Sequence, residues 1–209
     1  LWKLSNRRLD LPALFVGATI PDITYFIALR PVPNIGHSIT GIAIEGIPGA
    51  LVLLLIGRYW LWKPLLALLP GKIARRLPHS HTYSFLPISR LFNIVFSIIL
   101  GALTHNIWDD FTHSYGWGVE RFSILVFEVA QLPIYKWLQY GGGVGGCLVL
   151  LIRLYQALQQ QAPHHPQKSL SPQWHTLAWA LISTVFCLTI YAAIASAPSH
   201  ALSSVVVCA

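Results

Sequence analysis

Charge is the first thing this sequence lacks. Only 10% of its 209 residues are Asp, Glu, Lys or Arg, where a soluble domain carries about 25%. Apolar residues make up 55% and the mean hydropathy is +0.58, which excludes an ordinary water-soluble domain and fits a polytopic helical membrane protein. Cysteine is scarce too. Cys147, Cys187 and Cys208 lie in or beside apolar runs without metal-ligand spacing, so they read as buried free thiols. No Cys-x-x-Cys, Gly-x-Ser-x-Gly or dinucleotide-binding glycine fingerprint occurs, which removes the support for thioredoxin-like, serine hydrolase and dinucleotide readings. A basic segment followed by a short apolar run and a small-residue cleavage site is missing as well, so no secretory signal peptide is visible. The chain opens on Leu1 rather than Met and is read as a fragment lacking its native N-terminus, its C-terminal end also open.

What is present is a succession of apolar runs. Residues 11–29, 38–62, 87–111, 134–156 and 174–197 are each near the 20 residues that a hydrocarbon core of about 30 Å requires. The expectation is an all-α, polytopic transmembrane helical bundle of about five spans, with residues 1–209 forming a single integral membrane domain. An interfacial helix is expected around 122–131. The tryptophans at 60, 62, 108, 117, 137 and 174 fall near span ends, as an aromatic belt requires. The GGGVGG run at 141–146 offers small-xxx-small spacings suited to close helix packing. No Lys-Ser/Thr follows it, so it is not a phosphate loop.

The net charge of +7 sorts by loop. With alternating sides, Lys3, Arg7, Arg8, Arg58, Lys63, Lys72, Arg75, Arg76, Arg90, Arg153 and Lys168 fall on one side. Arg30, Arg121 and Lys136 fall on the other. By the positive-inside rule the first side is cytoplasmic, which places the chain in the inner membrane with the N-terminus of this sequence cytoplasmic. Basic charge here signals topology, and no nucleic-acid partner is expected.

The stretch GALTHNIWDDFTHSYGWG, residues 101–118, carries the chemistry. His105, Asp109 and His113 are spaced by four, and each such step advances only about 40° around a helix. If the helix persists to His113, the three form a stripe suited to holding a transition metal or passing protons. A carboxylate near the middle of a membrane helix costs about 2.5–3.5 kcal/mol, so its presence asks for a reason. The bland alternative is a polar helix end lying in headgroups and water. Asp110 lies beside the stripe. Asp22 follows Pro21 inside the first apolar run, where it can bind a ligand or pair with Arg30. His37 opens the second run and Glu45 lies deeper in it. On the alternating topology Asp22, His37 and the stripe converge on the same outer leaflet. His79, His81, His164 and His165 fall in loops on the opposite side.

Four pieces carry a resemblance: ATIPDITYF (18–26), GHSITG (36–41), GALTHNIWDDFTHSYGW (101–117) and LPIYKWLQYGGGVGG (132–146). Together, and through the fairly specific His-x-x-Trp-Asp-x-x-Thr-His pattern above all, the chain resembles the DUF4184 family of bacterial multi-pass membrane proteins. The resemblance implies architecture rather than an activity. It also implies a short N-terminal Thr-x-Ser-His segment that would precede Leu1. More distantly, the Pro-Asp, His-Ser and His-x-x-x-Asp pieces are similar to those of membrane-bound metal-dependent hydrolases and zinc-dependent phospholipases C.

The leading expectation is therefore an integral membrane, metal-dependent hydrolase acting at the outer leaflet on a lipid or envelope substrate. Asp22, His37, His105, Asp109 and His113 would be the metal ligands, and Asp110 or Glu45 the proton acceptor. Zinc is the default ion for such donors, with manganese or iron as alternatives. Membrane lipid is the expected partner. The competing classes are a non-catalytic proton- or cation-handling transporter-like protein and a structural membrane protein whose polar cluster holds helices together. A through-path for ions has little to run on, since the fourth and fifth runs offer only Lys136 and Arg153 as charged residues.

Overall fold

The computed structural model describes residues 9–28, 36–77, 84–162 and 171–195, and nearly all of these are helical. Two compact units divide the chain: Leu1–Trp62 with Ser80–Leu154, and Lys63–His79 with Tyr155–Ala209.

In the first unit, α1 (Leu11–Thr19) starts at Asp10, whose carboxylate accepts from the Ala13 amide at 3.0 Å, a side-chain N-cap. The Asp10 amide in turn donates to the hydroxyl of buried Ser97 at 2.9 Å, tying the start of α1 to α7 (Ile88–Thr112). Pro21 then breaks the run. A single 3-10 turn, Ile20–Asp22, separates α1 from α2 (Ile23–Ala28), because proline removes a helical donor and crowds the preceding turn.

The next helical run holds α3 (Ile39–Gly41), α4 (Ile47–Ile56) and α5 (Trp62–Leu68), joined by π-helical turns at Ile42–Gly46 and Gly57–Leu61. Each π turn ends shortly before a proline, Pro48 or Pro64. The widened turn accommodates the ring and the carbonyl it leaves unbonded. Ser38 caps the start, its hydroxyl accepting from the Gly41 amide at 2.9 Å.

α7 is the spine. Its 25 residues span about 37 Å at 1.5 Å per residue. The core of the unit gathers Ala13, Ile20, Ile42, Ala50, Leu54, Ile94, Ile98 and Ala102, residues drawn from α1, the 3-10 turn, the first π turn, α4 and α7. α1 crosses α7 with backbones in close approach. A Cβ on Gly17 would meet the Ile98 carbonyl, and one on Gly101 the Leu14 carbonyl. Glycine is required at both positions for that reason.

After α7, α8 (Trp117–Arg121) leads into a 3-10 turn at Ser123–Val126 and a two-residue hairpin pairing β1 (Glu128–Val129) with β2 (Leu132–Pro133). Ala130 and Gln131 form its turn with φ of 51° and 64°, the doubly left-handed geometry that matches strand twist. The interfacial helix expected at 122–131 is thus replaced by this turn and hairpin. α9 (Ile134–Gln160) follows, with no buried residue. Of the glycines expected to form a packing seam, Gly142 lies against the Trp108 ring, while a Cβ on Gly141, Gly143, Gly145 or Gly146 would meet nothing.

In the second unit, the short α6 (Gly71–Ala74) follows α5, and just beyond it the Arg76 guanidinium donates to the carbonyls of Leu158 (2.7 Å) and Gln161 (3.4 Å). The Trp179 indole of α10 (Pro172–Ala195) donates to the Leu68 carbonyl at 3.0 Å. Cys147 and Cys187 are exposed rather than buried.

Among the described residues three helices are long and apolar enough to cross a membrane: Ile39–Leu68, Ile88–Arg121 and Ile134–Gln160. The expected count of about five is corrected to three. The first run fails because Pro21 limits its apolar helix to Leu11–Asp22. α10 (Pro172–Ala195) also forms but is not among these three. Three such spans mark a membrane protein.

The α1–α7 crossing makes a direct prediction. Gly101→Val forces the backbones apart and costs about 3 kcal/mol or more, the upper end for an overpacked contact. Thermal unfolding of the detergent-solubilised protein should show a clear drop in midpoint, whereas Gly143→Val, in open space, should leave it unchanged.

Candidate metal centre

Four side chains from three stretches of the first unit meet at the end of α7. Asp22 comes from the 3-10 turn forced by Pro21, and His37 from the residue before the Ser38 cap. His105 and Asp109 come from consecutive turns of α7. The His37 Nε2 lies 3.4 Å from Asp22 Oδ1 and 3.3 Å from Asp109 Oδ2. The His105 Nε2 lies 3.5 Å from Asp22 Oδ2 and 3.1 Å from Asp109 Oδ2. One donor atom from each residue lies within 4.8 Å of all the others, and the two imidazole rings are 5.6 Å apart at 45°.

Those spacings are informative. An ion bound tetrahedrally at about 2.1 Å separates its ligand atoms by about 3.4 Å, the edge of the tetrahedron. The observed nitrogen–oxygen distances, 3.1–3.5 Å, lie near that edge, with His37 and His105 facing different oxygens of Asp22. The orientation agrees: His105 Nε2 is buried, close to two carboxylates, yet aligned with neither as a hydrogen bond. Lone pairs that converge on a common point produce this pattern. The Ala18 carbonyl lies beside the His105 ring. Such a backbone partner orients metal-binding histidines generally. Two imidazoles and two carboxylates therefore form a His2Asp2 set that can hold a divalent ion.

The remaining sequence-derived residues sit around this set rather than in it. α7 ends at Thr112, and His113 takes an extended conformation (φ −122°, ψ 143°), so it leaves the helical stripe. Its Nδ1 lies 3.6 Å from Asp109 Oδ1, the oxygen facing away from the two other histidines. Asp110 is turned toward α8, where its Oδ1 accepts from the Trp117 amide at 3.3 Å. Glu45, on the first π turn, lines an apolar cleft of about 230 Å³ whose walls include Pro21 and Gly36, the neighbours of Asp22 and His37. Arg30, His79, His81, His164 and His165 lie outside the described residues.

Two residues escaped the sequence reading. Asn106 donates from Nδ2 to the His37 carbonyl at 3.0 Å, which fastens the loop carrying one member of the set to the helix carrying two others. Its only sequence signal is an amide following His105 in an otherwise apolar run. Gln139, in the first turns of α9, contacts His113 at 3.0 Å. Replacing Asn106 by Leu removes one hydrogen bond worth about 1 kcal/mol. The expected result in detergent is a melting midpoint lower by about 2–4 °C, read by differential scanning fluorimetry.

A family model described as "Domain of unknown function (DUF4184)" matches residues 1–209, and the chain belongs to that family. No curated protein and no solved structure matches it.

Proposed function

We infer that this DUF4184 protein is a metal-dependent hydrolase of the membrane, working on an ester or phosphoester of a lipid-type substrate. The observation that carries the reading is the His2Asp2 set, with nitrogen–oxygen spacings of 3.1–3.5 Å. The ligands are Asp22, His37, His105 and Asp109. A divalent ion at such a site lowers the pKa of bound water toward neutrality and polarises the scissile bond. Four protein ligands fill a tetrahedral zinc site, whereas catalysis needs an open position. Five-coordinate zinc, or manganese or iron with their higher coordination numbers, suits the chemistry.

The cleft supports the lipid reading. Its lining is chiefly Ile20, Ile23, Val52 and Leu53, with Glu45 as its carboxylate. A hydrocarbon chain seated there would bring its head group beside Asp22 and His37. Glu45 is the proposed proton acceptor, favoured over Asp110, whose carboxylate is engaged by the Trp117 amide. The three spans alone support the sidedness. If these spans alternate in direction, His37, the end of α7 and Lys136 would share one side, and the basic loop of Lys63, Lys72, Arg75 and Arg76 the other. By the positive-inside rule the site then opens to the outer face of a cytoplasmic membrane.

Elemental analysis of detergent-purified protein is expected to find near-stoichiometric zinc, manganese or iron. His105→Ala and Asp109→Ala should lose it while keeping a cooperative thermal transition. Glu45→Gln should keep the ion yet lower hydrolysis of long-chain ester substrates by about 10²–10⁴-fold, the usual contribution of a general base. Absence of metal from wild-type protein after supplementation with all three ions would overturn the reading in favour of a proton-handling or structural cluster.

A further inference from the structure

We propose that His113 is a positioning residue that acts through Asp109, and that Gln139 and Lys136 lock it in a single tautomer. This rests on the metal-site reading above. Its starting point is a chain of contacts leading away from the four ligands, from Asp109 through His113 and Gln139 to Lys136.

The donor and acceptor inventory fixes every orientation in that chain. The Lys136 ammonium can only donate, and its Nζ lies 2.8 Å from Gln139 Oε1. The amide nitrogen of Gln139 must then face the other way, toward His113 Nε2 at 3.0 Å. An amide nitrogen also only donates, so Nε2 accepts and carries no hydrogen. The ring hydrogen is on Nδ1. The far side of the ring gives the same answer independently. The Thr112 hydroxyl spends its one hydrogen on the Trp108 carbonyl at 3.0 Å, so toward His113 Nδ1, at 3.3 Å, it can only accept.

The protonated Nδ1 so defined lies 3.6 Å from Asp109 Oδ1, beyond hydrogen-bond length, so its N–H, directed in part at the Thr112 hydroxyl, acts on that carboxylate as a dipole, while Asp109 Oδ2 lies 3.3 Å and 3.1 Å from the Nε2 atoms of His37 and His105. One carboxylate oxygen would serve an ion, and the other faces that dipole. The His113 amide donates to the Asp109 carbonyl at 3.0 Å, closing the last turn of α7. An outer partner of this kind holds a ligating carboxylate in one rotamer, and its loss typically weakens metal binding by about 10–100-fold. The chain also gives α9 a task, since that helix buries no residue of its own but reaches the site through Gln139.

The test is metal affinity of the full chain in detergent, measured by competition of zinc or manganese with a chromophoric chelator. His113→Ala and Gln139→Leu should bind about 10–100-fold more weakly than wild type. His113→Asn, whose amide N–H falls near the position of Nδ1–H, should restore affinity to within about threefold. Wild-type affinity in His113→Ala would overturn the proposal. So would an Asn variant as weak as the Ala variant, the result expected of a direct ligand. A second readout needs no ion. The ¹⁵N NMR spectrum of histidine-labelled, metal-free protein should show the His113 ring protonated at Nδ1 and bare at Nε2, and an Nε2–H ring would contradict the lock. If wild-type protein takes up no ion while that spectrum appears, the hydrolase reading falls and the lock on Asp109 stands.

Discussion

The close approach of α1 to α7 at Gly17 and Gly101 is the contact on which the rest depends. Side-chain-free backbone at both positions lets the helices cross within reach of each other's carbonyls. From that crossing α1 continues for less than one further turn-pair before Pro21 tightens the chain into the 3-10 turn that presents Asp22. On α7, His105 follows Gly101 by one turn. A wider crossing would separate Asp22 from His105 and dissolve the site, however favourable each helix remained. The polar bond from the Asp10 amide to Ser97 reinforces the same pairing at its other end.

The centre itself is expensive to assemble inside an apolar protein. Two carboxylates are held close together, with Asp22 and Asp109 sharing both histidines as neighbours. Bringing like charges together and partly desolvating them opposes folding. An ion of charge +2 offsets that repulsion more completely than two imidazoles can. The four side chains have further neighbours: Asn106 on the His37 carbonyl, Ala18 beside the His105 ring, and His113 beside Asp109. Pre-organisation of this kind makes sense when an ion must be bound in a fixed geometry.

Much of this was legible in the sequence and some was not, for identifiable reasons. The spacing of His105 and Asp109 needs only helical periodicity, and α7 supplies it. Asp22 and His37 were legible because ionisable residues in or beside apolar runs call for a partner. His113 was grouped with the stripe on the condition that the helix continue. α7 stops at Thr112, and the extended conformation at the next residue is set by tertiary contacts with α8 and α9 that periodicity does not register. The span count failed for a related reason. Hydropathy sums residues without seeing that Pro21 divides the first run. Asn106 and Gln139 left almost no trace, since an amide matters here only through which carbonyl or ring it meets.

The central claim is that Asp22, His37, His105 and Asp109 bind one divalent ion. X-ray absorption at the metal edge of the purified protein tests it most directly. A bound ion should show nearest-neighbour nitrogen and oxygen at about 2.0–2.2 Å, with more distant scattering from two imidazole rings that drops by half in His37→Ala. A sulfur shell at about 2.3 Å, or a spectrum unchanged by that substitution, would contradict it.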